Sequence, residues 1–287
     1  MSMSYLERFA RKHSKNAIAF KLTDGKTEPL KTKIGGKPEL PSDFEWYYYE
    51  GEDFSGVKKS RPLSFMAQIN CAEIKSFDKD DLLPDTGMLY FFYELETMEW
   101  GYSPEHSGSA RVYYYDSDMT ELSQREFPND LDEEWIIPEK ILNFQCFNDI
   151  PDLCEADEYF GLCNNKEYDD DEDDGRYFDL REKEFGDDVR IKLLGYADTI
   201  QDMMQYGCEY VARGYSLGDG LPKVSDEIKS DIESHEQDWI LLFQLDTIES
   251  ENYQLMFGDC GRIYFMIRKN DLAQRNFDNV QLILQCC

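Results

Sequence analysis

A chain of 287 residues can bury roughly three quarters of its unfolded surface in one unit, and 41% hydrophobic residues with 14% aromatics exclude global disorder. Sixty acidic against thirty basic side chains leave a formal charge of −30. That balance argues against nucleic acid or an anionic membrane as the main partner, because phosphate binding needs Lys and Arg; a basic protein partner fits, as does solubility alone.

In chain order, Tyr5–Arg11 predicts a helix, with Tyr5, Leu6 and Phe9 on one side. The first twelve residues hold no apolar core of a secretory signal, and no apolar run approaches the ~18 residues of a membrane span. Eight cysteines (71, 146, 154, 163, 208, 260, 286 and 287) show no Cys-x-x-Cys pair. A cytoplasmic protein with reduced thiols is therefore expected. Leu63–Ile69, Met88–Tyr93 and Ala110–Tyr115 read as strands, the second opened by an Asp85-Thr86-Gly87 turn. Thr199–Tyr206 and Ser225–Ser234 read as helices. Trp239–Leu245, Arg262–Ile267 and Val280–Leu284 read as strands, with one short helical turn at Asp271–Asn276. Strands clustered with few helices between them predict an α+β fold.

Self-similarity organises this string. Phe65-Met-Ala-Gln68-Ile-Asn70 reads against Leu241-Leu-Phe-Gln244-Leu-Asp246. Gly87-Met-Leu-Tyr-Phe91 reads against Gly261-Arg-Ile-Tyr-Phe265, and Lys33-Ile-Gly-Gly-Lys-Pro38 has a weaker echo in Lys192-Leu-Leu-Gly-Tyr-Ala197. Three pairs in the same order predict a single domain over 1–287 built from two copies of a mainly antiparallel, β-rich unit, about 15–115 and 189–287. Between them, 116–188 hold 26 Asp/Glu and 6 Lys/Arg, a balance of −20 that leaves −10 for the rest. Its first half has the apolar residues to dock, whereas the like-charge run Asp169–Asp174 predicts a mobile loop near 164–175.

The set Lys33-Ile-Gly-Gly-Lys-Pro-Glu-Leu-Pro41, Pro62-Leu-Ser-Phe-Met-Ala-Gln-Ile-Asn70, Gly87-Met-Leu-Tyr-Phe-Phe92, Arg268–Phe277 and Leu284-Gln-Cys286 resembles the YwqG-like family. That is a bacterial group carrying a domain of unknown function. The resemblance implies an α+β fold with an internal duplication, and an association with immunity to toxins of neighbouring bacteria. It implies no reaction, cofactor or catalytic residue.

The residues offer few chemistries. Adjacent glycines let backbone N–H groups face an anion, which makes Lys33, Gly35 and Gly36 candidate ligand-binding residues. The Walker spacing is absent, however, and Gly and Pro chiefly punctuate turns. Alternation places Gln68 and Asn70 on one strand face, and Gln244 and Asp246 recur at the equivalent places. Lining a cleft between the copies, the four would present polar groups to one ligand; otherwise they hydrogen-bond backbone at the strand ends. Asp170–Arg181 imitates a Ca²⁺ loop but ends in Arg181 where a bidentate Glu is needed. His13, His106 and His235 lie apart, with no ligand at metal spacing. No catalytic residue, metal or cofactor is expected. The reading is a non-enzymatic binding protein of interaction or immunity type. Its basic partner would meet the acidic stretch, anchored by Tyr159, Phe160, Tyr168 and Tyr177. The alternative is a small-molecule or anion-binding enzyme with its site between the copies.

Overall fold

The computed structural model describes residues 3–185, 191–218, 220–250 and 252–287. The boundary expected near 188–189 lies outside the described residues. The first half supplies strands β1 (Lys15–Asp24), β2 (Lys33–Ile34), β3 (Glu39–Leu40), β4 (Tyr48–Glu52), β5 (Lys58–Pro62), β6 (Ser64–Asn70), β7 (Met88–Tyr93), β8 (Ala110–Tyr115) and β9 (Ser123–Gln124). Then come β10 (Lys140–Asp149), β11 (Lys192–Leu194), β12 (Trp239–Asp246), β13 (Ile248–Ser250), β14 (Tyr253–Leu255), β15 (Arg262–Arg268) and β16 (Gln281–Gln285). Helices are α1 (Tyr5–His13), α2 (Cys71–Ile74), α3 (Leu153–Phe160), α4 (Asp170–Phe185), α5 (Gln205–Ala212), α6 (Asp226–His235) and α7 (Lys269–Ala273). The fold is mixed α and β, dominated by one large antiparallel sheet.

That sheet has ten strands in the order β16-β15-β12-β11-β1-β10-β2-β6-β7-β8. The long strands β1 and β10 pair along their whole length, from Lys15 opposite Asp149 to Asp24 opposite Lys140. On one side β2 places Lys33 opposite Gln68; on the other β11 places Lys192 opposite Gln244. β6 is bulged between Phe65 and Ala67, and β12 between Leu241 and Phe243.

The sheet is folded over on itself. In a flat sheet β7 and β12, six places apart, would be separated by roughly 29 Å at ~4.8 Å per strand. Instead the Phe91 and Phe243 ring centroids are 4.6 Å apart, and Phe91 meets Phe265 on β15 at 5.1 Å. Leu89, Phe91 and Tyr93 thus share one inner core with Ile18, Phe20, Leu242, Phe243, Ile263 and Phe265. The alternate residues Met88, Tyr90 and Phe92 face outward, yet they are buried too, under Leu40, Tyr49, Leu63 and Leu122 from the surrounding excursions. In the other half Trp239, Leu241, Tyr264, Met266 and Ile283 are covered by Met204 and Cys208 at helix α5. Burial on both faces explains why β7 and β15 are near-continuous apolar runs.

Helices α1, α3 and α4 form a fourth cluster around Leu6, Phe9, Ile150, Ala156, Leu162 and Tyr177. Three sequence expectations are corrected here. The stretch 116–188 contributes β10 to the middle of the sheet. The run expected as a mobile loop enters α4. Glu172 and Asp173 lie near its N-terminus, where carboxylates offset the helix dipole, Arg176 pairs with both, and Tyr177 anchors the helix in the core. The helix expected at Thr199–Tyr206 begins only at Gln205, because Gln285 Oε1 accepts from the backbone N–H groups of Ile200 and Gln201 and holds that segment as a loop.

Phe91→Ala should remove about 3–5 kcal/mol, since it empties the contact between the two ends of the sheet. Urea unfolding should remain a single transition at a lower midpoint. A split into two transitions would show that the ends fold independently.

Candidate functional site

Two buried lysines organise the polar interior. Lys33 is 1% exposed, and its Nζ donates to Glu39 Oε1 at 2.9 Å and to the Lys37 carbonyl at 2.8 Å, with Glu139 Oε2 at 3.9 Å. The amide of Gln68 completes the centre: its Oε1 accepts from the Glu39 N–H at 3.2 Å, and its Nε2 donates to the Lys31 carbonyl at 2.8 Å and to Glu39 Oε2. The Tyr90 hydroxyl donates to the Glu39 carbonyl.

The second centre uses the same residue types. Lys192 Nζ lies 2.9 Å from Asp149 Oδ2 and 2.9 Å from Asp198 Oδ2. Gln244 accepts from the Asp198 N–H at 2.9 Å and donates to Asp198 Oδ2 at 2.9 Å. Tyr264 donates to the Asp198 carbonyl at 2.7 Å. Both lysines are followed by a left-handed pair: Gly35 and Gly36 at φ 61° and 67°, Leu194 and Gly195 at φ 61° and 77°. Glycine is needed at the second position, because a Cβ on Gly36 would meet Glu139 Oε2 at 2.5 Å and one on Gly195 would meet Asp149 Oδ2 at 2.3 Å.

These contacts decide what the expected ligand residues do. Gly35 N–H donates to the Met66 carbonyl and Gly36 N–H to the Ile137 carbonyl, so the glycine pair faces protein rather than an anion. Asn70 caps helix α2 by accepting from Ala72 N–H, while its amide donates to the Leu30 carbonyl. Asp246 binds Arg262 Nε at 2.7 Å. Gln68 and Gln244 are sealed, each holding the loop beside it. β1 and β10 stand between β2 and β11, and the two sets do not converge on one cleft. The missed partners, Glu39 and Asp198, each follow their lysine by six residues. That shared spacing was the available signal.

The second centre carries more charge than the first. Helix α3 brings Glu155, 2% exposed, whose Oε1 accepts from Gln205 Nε2 on α5. Burial, then the charge of Asp152, pushes Glu155 up to about 7, although Lys15 opposes them. Burial lifts Asp149 to about 6 despite Lys192. Asp198 is held below its usual range: Lys192, the Gln244 amide and Arg181 outweigh its desolvation.

The four aromatic residues expected at the acidic stretch divide. Tyr177 is 1% exposed and donates to the Pro151 carbonyl, so it is a core residue and no partner can reach it. Phe160 stacks on His13 at 4.3 Å, and Tyr168 donates to Asp174. Tyr159 remains half-buried, with Glu155, Glu158 and Glu236 around it. Glu236 is itself raised, by burial first and then by the like charges of Glu158 and Glu233. Helices α3 and α6, with the turn after α6, thus gather carboxylates on one face.

A separate cleft of about 430 Å³ lies at the seam between the edge strands β8 and β16. Arg111, Arg268, His106, Asp278 and Trp239 line it. Gly101 N–H donates to His106 Nδ1 at 3.1 Å, so the ring proton sits on Nε2, 3.3 Å from Glu99. Arg268 stacks over Trp239 at 4.5 Å and shares Glu209 with Trp239 Nε1 and Arg213. Arg111 is exposed and has no ion-pair partner among the described residues.

Removing one buried ammonium should be costly, because it leaves buried carboxylates uncompensated, Asp149 at the second centre and Glu39 at the first. Lys192→Met should lower unfolding stability by about 3–5 kcal/mol, and Lys33→Met by a similar amount. Urea titration measures both. A loss below about 1 kcal/mol would mean the lysines are not structural.

No curated protein matches this chain in sequence. One family model does, over residues 32–286, a span that includes Lys33, Gln68, Lys192 and Gln244 as well as both ends of the sheet. The chain belongs to the family defined by that model, a domain of unknown function (DUF1963).

Proposed function

We propose that this chain is a non-enzymatic binding protein: a rigid duplicated scaffold whose acidic helical face engages a basic protein partner. The observation that carries this reading is the crowding of Glu158, Glu233 and Glu236 beside the half-buried Tyr159. Among the described residues the cation paired with these acids is the exposed Lys229, 3.6 Å from Glu233; an incoming Lys or Arg relieves the rest of the crowding, and an adjacent aromatic ring supplies the apolar anchor. A localised negative field also speeds encounter with a basic partner, an effect that fades as the Debye length shortens from about 10 Å at 0.1 M salt to about 3 Å at 1 M.

Against catalysis stands the fate of the polar residues that recur along the chain. Each of Lys33, Gln68, Lys192 and Gln244 is buried and bonded inside the protein. The same quartets support the duplication. Gln68 and Gln244 sit two residues beyond the bulged Met66 and Leu242, and Tyr90 and Tyr264 stand opposite them. Gly87 and Gly261 each precede the strand's first paired residue. The motifs quoted earlier favour a YwqG-like member and, through it, an interaction or immunity-type role in the cytoplasm.

The test uses an octa-arginine peptide and fluorescence anisotropy. Reversing Glu158, Glu233 and Glu236 to Lys should weaken binding by at least about tenfold. Reversing the exposed Asp43, Glu45 and Glu50 to Lys, an equal change in net charge, should weaken it no more than about twofold. Equal losses would mean that bulk charge alone binds the peptide, and the docking face would be abandoned.

A second reading, a small-molecule or anion-binding enzyme, is favoured by one feature, the unpaired Arg111 in the seam cleft. Saturable binding of inorganic phosphate that Arg111→Ala abolishes would move the assignment to that cleft. Absence of such binding leaves the docking reading in place.

A further inference from the structure

Helix α3 delivers one carboxylate more than the interior around Asp149 can neutralise. Four acids meet there: Asp149 from β10, Asp152 at the N-cap of α3, Glu155 within α3, and Asp198 from the loop after β11. Three cations face them, Lys15 from β1, Lys192 from β11 and Arg181 from α4. Farther along, Asp80 and Lys269 act on Lys15 with opposite sign, and Arg262 is matched by Asp246. Neutral groups also pack around Glu155: Gln205 from α5, Tyr196, whose ring lies 3.7 Å from Lys15 Nζ, and Tyr177, Tyr159 and Cys154; beside Tyr159 and Cys154 stand further acids, Glu158, Glu236 and Asp202.

The surplus is visible in the hydrogen bonding. Asp149 Oδ1 and Glu155 Oε2 are both buried, and neither has a hydrogen-bond partner among the described residues. At the first lysine centre no such surplus arises. Glu139, which stands to Lys33 as Asp149 stands to Lys192, has Oε1 bonded by Thr27 and Oε2 turned toward Lys33. Helix α2 does bring an acid near, Glu73, but Lys31 pairs with it at 2.7 Å and the Thr32 N–H donates to it. A bare carboxylate oxygen in the interior carries a full desolvation penalty, which a proton removes by neutralising the group.

We propose that this cluster takes up one proton from solvent when the chain folds, carried on Glu155, and that this proton latches helix α3 against the sheet. Because α3 also carries Glu158 and Tyr159, the latch would regulate the docking face proposed above. Its test needs no partner, so either idea can fail alone. The sign follows from the raised carboxyl. The stabilisation is complete below the ordinary glutamate value of about 4.3 and is lost as pH rises through about 7.

Hydrogen exchange of the α3 amides, corrected for intrinsic rate, reads the latch in the intact chain. Between pH 6 and pH 8 the open population of α3 should rise roughly tenfold, as one linked proton requires. Glu155→Gln should keep α3 closed at both values, whereas Glu134→Gln, which removes the same charge from an exposed turn, should keep the rise. An unchanged pH dependence in Glu155→Gln overturns the proposal. Should that variant fail to fold, ¹³C titration of the Glu155 carboxyl in the unmodified chain decides: a midpoint near 7 supports the latch, and one below 5 overturns it.

Discussion

An ammonium group buried between two carboxylates is stable only where nearly every remaining donor and acceptor is also matched, and this protein builds that arrangement twice with the same parts, with Asp149 Oδ1 left open at the second. Lys33 and Lys192 leave short strands, pass through a left-handed pair of residues, and return to meet an acid six positions on. A glutamine from the neighbouring strand and a tyrosine from the next one then grip that acid's backbone. Desolvating the lysine would otherwise cost several kcal/mol, so the quartet must form as a unit. Once formed, it fixes the turn, the register of the adjoining strands and the outward face of each half of the sheet.

The folded-over sheet follows from that constraint together with the apolar alternation. Each half has its own outer cover, but the inner core is shared, with Phe91 against Phe243 and Phe265. The seam is closed by backbone: the Leu284 N–H donates to the Trp100 carbonyl, and Gly101, at φ +83°, leaves no room for a Cβ against the Leu282 carbonyl. What remains for interaction is the periphery. There the helices α3 and α6 concentrate charge that the interior does not balance.

Much of this was legible in the sequence, for identifiable reasons. Met88–Tyr93 and Ala110–Tyr115 stand out because turn residues bound them, and their observed ends match. Gln68 and Gln244 each lie opposite a tyrosine on one neighbouring strand and a lysine on the other. β10 was not legible, because its buried Lys140 and Asp149 read as polar surface until their partners Asp24 and Lys192 are known. The acid in each quartet was hidden by abundance: among 60 carboxylates neither Glu39 nor Asp198 is conspicuous without its lysine. Tyr177 reads as an exposed anchor because it flanks the acidic run in sequence, whereas helix α4 turns it into the core.

The account depends on the two quartets being closed interior structures rather than ligand sites, and proton exchange of their side chains tests this most directly. NMR should find the Gln68 and Gln244 amide protons, and the Lys33 and Lys192 ammonium protons, exchanging no faster than the core backbone amides of β7 and β15. Rapid exchange at either quartet, with those backbone amides still protected, would mean that solvent or a ligand reaches it in the native state. The structural reading of both lysine centres would then be wrong.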